Sequence, residues 1–146
     1  MYISVTEAER IRRLTAKTAM TYLYVSILCI VVTNVYALYG HGVRSASMDF
    51  MFLYPLLCGT VVFLLVSLFL SRVPERLRVI SRLGYNVYNS GVASLTSAGM
   101  LAGIMEIAGT GSKWVPYFNI TGVALLAVGI ICQAMAFVIK SKRNRE

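Results

Sequence analysis

Charge is scarce in this chain. Only 14% of its 146 residues are Asp, Glu, Lys or Arg, against about 25% in an ordinary soluble domain. Beside a hydrophobic share of 58%, that shortage excludes a water-soluble globule, which has no place for so much apolar surface. Histidine occurs once, as His41, which excludes a histidine-based metal cage or a bis-histidine haem site. The three cysteines, Cys29, Cys58 and Cys132, lie far apart inside apolar runs. They form no CxxC pair and no zinc spacing, and they read as small buried hydrophobes. No metal and no cofactor is therefore expected. The apolar runs also lack an intramembrane lysine, an arginine ladder, paired aspartates and HExxH, so enzymatic activity is not expected either.

What the sequence does contain is four long apolar runs, at about 18–39, 50–70, 87–108 and 115–139. Crossing a hydrocarbon core takes about 20 mostly apolar residues, and a run of that length can satisfy its backbone there only as a helix. The fold class expected is all-α: a polytopic four-transmembrane-helix bundle forming a single membrane domain over 1–146. The first run is longer than the apolar core of a signal peptide, so it is expected to be retained.

The net charge of +8 is placed as topology would place it. Arg10, Arg12, Arg13 and Lys17 precede the first run. Arg72, Arg76, Arg78 and Arg82 separate the second from the third, and Lys140, Lys142, Arg143 and Arg145 follow the fourth. Only Arg44 and Lys113 fall on the other side. Basic loops stay cytoplasmic, which predicts an N-in/C-in orientation. No basic groove with interleaved aromatics is present, so nucleic acid is not an expected partner. Short loops and compactness point to a bacterial inner (plasma) membrane.

Local signals add detail. Thr6 followed by Glu9 matches a capping box, predicting a helix from near Glu7 into the first run. The segment 72–84 reads as a basic interfacial helix that Pro74 opens and Gly84 closes, with Leu77, Ile80 and Leu83 on one face. Pro55 is expected in the first turn of the second run. Trp114, Tyr117 and Phe118 form an outer aromatic belt, and Tyr22 and Tyr24 an inner one.

The third run is the most polar and the most small-sided. Ser90, Ser94, Ala98 and Ala102 form one row, and Gly99 and Gly103 a GxxxG pair. Such rows let helix backbones approach closely where lipid offers no hydrophobic drive. The third helix is thus expected at the centre of the protomer or at an oligomer interface. On the fourth run Asn119, Gly122, Leu126, Gly129 and Gln133 share a face. On the first, Tyr22, Ser26, Cys29, Thr33 and Tyr36 do the same.

Glu106 is the one acid within a run, near its outer end. An ionisable group there is a candidate proton or cation site. Its expected partners are His41, Arg44 and Lys113, at the mouth of an outward cavity lined by Asn34, Tyr36, Tyr54 and Asn119. Three functions compete. One is a transporter or channel acting as a homo-oligomer. Another is a non-enzymatic accessory or scaffolding subunit bound to another membrane protein. The last is an enzyme acting on a lipid or quinone. The lipid bilayer is the surrounding partner in all three.

Overall fold

The computed structural model describes residues 3–72 and 81–143, with side chains over 9–69 and 81–142. It is all-helical. Helix α1 spans Ile3–Tyr39, the short α2 Ala46–Asp49, a π-helical segment Tyr54–Val61, α3 Val62–Arg72, α4 Arg82–Ile107 and α5 Val115–Arg143. Among the described residues, four helical stretches are long and apolar enough to cross a membrane: Glu9–Tyr39, Ala46–Phe69, Arg82–Ile107 and Val115–Lys142.

Boundaries moved in three places. Helix α1 begins at Ile3, ahead of the Glu7 start that the Thr6 capping box implied. Most of the expected interfacial segment 72–84, Pro74 included, lies outside the described residues. Its end is described, and there Gly84 closes nothing. It sits in the first turn of α4, whose N-cap is Ser81. The Ser81 hydroxyl accepts from the Gly84 N–H at 3.2 Å, and the Ser81 N–H donates to Gln133 Oε1 at 3.0 Å.

The second apolar run is not one plain helix. The chain leaves α1 through a left-handed turn at His41 (φ 54°) and Gly42 (φ 83°). The Gly42 N–H closes that turn on the Ala37 carbonyl at 2.8 Å. Then α2 folds inward. Met48 and Met51 are almost fully buried, and with Cys29 they form a core that Val25, Val32, Tyr36, Phe52, Ile104 and Ile107 surround. Next comes the π-helical segment, with Pro55 in its first turn. Its last turn is widened, so that the Val62 N–H reaches back five residues to the Leu57 carbonyl.

Helix α4 is the middle of the molecule. On one side it packs against α5, and on the other against α2 and the π-helical segment, which in turn cover α1. Among the described elements α5 packs on α4 alone, and α1 meets α4 only through long side chains.

Glycines set both α4 contacts. Against α5, a Cβ on Gly91 would lie 2.8 Å from the Leu126 nitrogen and 2.9 Å from the Gly122 oxygen. One on Gly129 would lie 2.7 Å from the Tyr88 nitrogen. Gly84 faces the Gly129 oxygen at 3.0 Å in the same sense. The GxxxG pair faces the other way. Gly99 seats Met51 and Gly103 seats Met48, so this face is filled within the protomer and has no room for a second copy. The row Ser90, Ser94, Ala98, Ala102 does not act as one surface. Ala98 is fully buried, Ser94 donates to the Phe118 carbonyl at 3.3 Å, and Ser90 is exposed.

Candidate functional site

Two polar clusters form between the helices, one at each end of the bundle. The first centres on Glu106, in the last turn of α4. Its partners are hydroxyls. Ser45 donates to Oε2, and Ser47 donates to Oε1 at 2.5 Å. Ser45 is also the N-cap of α2, accepting from the Met48 N–H at 3.4 Å. One carboxylate therefore fastens the inward-folded α2 to the end of α4. The Met48 carbonyl accepts from Thr33 Oγ1 at 3.0 Å, which ties the same turn to α1.

The expected cationic partners lie elsewhere. Arg44 pairs with Asp49 at 3.3 Å and donates to Asn34 Oδ1 at 3.3 Å. His41 is exposed at the left-handed turn, and among the described residues it makes no hydrogen bond with Glu106. Lys113 is exposed in the connection before α5. A carboxylate at this helix end is reached first by hydroxyls because α2 folds in beneath it and carries serines, not bases.

The cavity expected around Glu106 also divides. A surface cavity of about 460 Å³ lies at the end of α1, lined by Asn34, Ala37, Leu38, His41, Gly42 and Arg44. Glu106 is not among its walls. Tyr36 packs on the Met48 core, and Tyr54 lies against Gly99. Asn119 is on α5, which among the described elements touches α4 alone, and so is parted from Asn34, Tyr36 and Tyr54. The structure thus joins Asn34 to His41, joins Tyr36 to the core, and keeps Glu106 with Ser45 and Ser47.

The second cluster is one that sequence reasoning missed. Phe63 on α3 stacks on Tyr22 at 5.9 Å and receives the edges of Tyr85 at 5.7 Å and Tyr88 at 5.8 Å. Each tyrosine hydroxyl has a partner on another element. Tyr22 donates to Asn89 Oδ1 at 2.8 Å, and Tyr88 donates to the Cys58 carbonyl at 2.7 Å. The Tyr85 and Thr18 hydroxyls pair at 2.7 Å. Gly59 lets the π-helical segment lie flat on the Tyr22 ring, since a Cβ there would fall 2.3 Å from it. Tyr22 therefore belongs to the interior stripe of α1, not to a surface belt, whereas Tyr24 is exposed. The signal was present as four aromatics, Tyr22, Phe63, Tyr85 and Tyr88, and the Asn89 amide, spread over three different helices and not within any one of them.

Chemically, both clusters hold helices together. Their protons are committed to neighbouring oxygens, and among the described residues no group of three or more His, Cys, Asp or Glu side chains gathers to hold a metal ion. One interior group stays unengaged: Thr60 Oγ1, in the π-helical segment, is buried without a hydrogen-bond partner among the described residues. Set against protein-family profiles, curated proteins and solved structures, the chain matches none.

Proposed function

We propose that the chain is an integral membrane protein of four spans with both ends in the cytoplasm, and that it serves as a non-enzymatic accessory or scaffolding subunit of a membrane assembly. Membrane insertion is supported by the outer surface. Leu28 and Val31 on α1, Leu65 and Leu68 on α3, and Ile130 and Ile131 on α5 all point outward with half or more of their surface exposed. Contiguous apolar surface of this extent is foreign to a soluble monomer. The orientation is supported by the basic residues. Arg10 to Lys17, Arg82 and Lys140 to Lys142 lie at one end of the four helices, with Arg44 and Lys113 at the other.

One observation carries the accessory reading. The polar side chains between the helices are bonded within the bundle, as Tyr22 is to Asn89, Tyr88 to the Cys58 backbone carbonyl, Thr18 to Tyr85 and Ser45 to Glu106. A transport path needs such groups turned toward a passing solute, and here they act as glue between helices. The exposed Glu106 carboxylate, which an enzyme acting on a lipid or quinone would use, is engaged by the Ser45 and Ser47 hydroxyls.

The test is reconstitution. The purified full chain in liposomes is expected to leave proton and monovalent-cation flux at the level of empty liposomes. A flux above that level, abolished by Glu106→Gln, would overturn the accessory reading in favour of transport.

A further inference from the structure

Two polar groups in the π-helical segment are bonded differently from those of a regular helix. The Val62 N–H passes over the Cys58 carbonyl, its partner in an α-helix, and donates to the Leu57 and Gly59 carbonyls. The Cys58 carbonyl is left to accept the Tyr88 hydroxyl of α4 at 2.7 Å. Thr60 lies in the same widened turn. It is only 7% exposed, and its hydroxyl has no partner among the described residues. The other buried threonines each donate to a carbonyl: Thr15 to Ile11 at 3.2 Å, Thr18 to Leu14 at 2.8 Å and Thr33 to Met48 at 3.0 Å. Inside a regular helix a threonine reaches the carbonyl four residues back, which for Thr60 is that of Leu56. In the widened turn that bond is not made.

We propose that the Tyr88 hydroxyl is a latch on a two-state turn. A buried orphan hydroxyl favours narrowing, because narrowing gives Thr60 the Leu56 carbonyl. The Tyr88 bond opposes it, because in a narrow turn the Val62 N–H takes the Cys58 carbonyl back. Narrowing a turn by one residue rotates the helix beyond it by about 100° and shifts it by about 1.5 Å. Phe63, just past the turn, is held in the wide state by Tyr22, Tyr85 and Tyr88. Two of those three rings are on α4, as is the latch, so a displacement of α4 frees both restraints together. Movement of α4 is thereby converted into rotation of α3, whose exposed face carries Leu65 and Leu68. Two discrete packings of one turn, each satisfying a different polar group, are what such a switch requires. The latch depends neither on the orientation in the membrane nor on the accessory role.

Spin-label distances in the purified full chain test the latch. The labels go on Leu65→Cys of α3 and Ile130→Cys of α5, both exposed, with Cys29, Cys58 and Cys132 replaced by alanine. Only the backbone of Cys58 takes part, so that background keeps the latch. Tyr88→Phe keeps the ring and removes the hydroxyl, and it is expected to add a second distance population shifted by several ångströms. Adding Thr60→Val to Tyr88→Phe takes away the bond that rewards narrowing and is expected to shrink that population. A single unchanged distance in Tyr88→Phe overturns the latch, and a second population undiminished in the double variant overturns the part given to Thr60. Thermal midpoints supply a reading that survives even if Tyr88→Phe fails to fold. Thr60→Val alone removes an orphan and is expected to raise the midpoint. Thr96→Val, which breaks a bond to the Val92 carbonyl at 2.9 Å, is expected to lower it. A fall in Thr60→Val as large as in Thr96→Val means the Thr60 hydroxyl is bonded in the wide turn, and the two-state proposal falls with it.

Discussion

Gly91→Leu is expected to strip α5 from the rest of the bundle. A side chain at Gly91 meets backbone on the opposite helix, 2.8 Å from the Leu126 nitrogen and 2.9 Å from the Gly122 oxygen. Helix backbone cannot yield as a flexible side chain can, so the two axes must move apart. Separation then undoes the neighbouring seats, where Gly122 receives Leu95 and Gly129 receives Tyr88. Overpacking of a tight interior typically costs about 1–3 kcal/mol, and a leucine against backbone belongs at the upper end. The gain in helix propensity on replacing glycine is only about 1 kcal/mol and does not offset it. Because among the described elements α5 packs on α4 alone, the loss is not shared. In detergent the thermal midpoint should fall by on the order of 10 °C, and protease should cut the 108–114 connection sooner. Gly111→Leu is the control, since nothing lies within 4 Å of a Cβ there. Equal midpoints for the two variants would contradict the α4–α5 account.

Glu106→Ala should release α2 while leaving the α4–α5 contact in place. Ser45 is 4% exposed, and its hydroxyl proton goes to Glu106. Without the carboxylate the Ser45 hydroxyl loses its acceptor, and Ser47 loses its acceptor as well. The loosened turn carries Met48, which is 1% exposed and plugs the space over Gly103. Amide hydrogen exchange is therefore expected to rise across 46–51 and to stay unchanged at Gly122 and Gly129. Glu106→Gln keeps an acceptor oxygen and should lose much less. If Glu106→Ala leaves exchange at 46–51 unaltered, the carboxylate is not the fastening of α2.

These effects mark where the chain was readable and where it was not. Hydropathy located all four long helices, because length and apolarity are properties of each run taken separately. It under-read α1, whose first turns are polar and carry no hydropathy signal, though they continue the same helix. The small-residue row on α4 was placed at four-residue spacing, Ser90 to Ala102. A helix turns about 100° per residue, so each step of four drifts by about 40° and the row winds off any one face. The working contact with α5 runs through Gly84 and Gly91, seven residues apart, a step that drifts by only about 20°. That spacing is what two antiparallel helices need to stay in touch.

As an acid at a helix end, Glu106 calls for cationic partners. They are serines because α2 folds back under it, an event no single-run pattern encodes. The π-helical segment is similar. Pro55 and Gly59 hinted at irregularity, but the widened turn is accommodated by groups from elsewhere: the Tyr22 ring under Gly59 and the Tyr88 hydroxyl on the Cys58 carbonyl. The tyrosine cluster around Phe63 draws on three runs at once, so it becomes visible only when the topology sets their inner ends side by side.

The measurement that bears most directly on the account is sidedness of labelling in intact cells with a membrane-impermeant maleimide. Val43→Cys and Lys113→Cys lie in the two connections expected outside, and Lys142→Cys lies near the end of α5; all three positions are exposed. The account predicts that Val43→Cys and Lys113→Cys label from outside, while Lys142→Cys labels only once the membrane is permeabilised. Labelling of Lys142→Cys in sealed cells, or equal labelling of all three, would contradict a four-span chain with both ends in the cytoplasm.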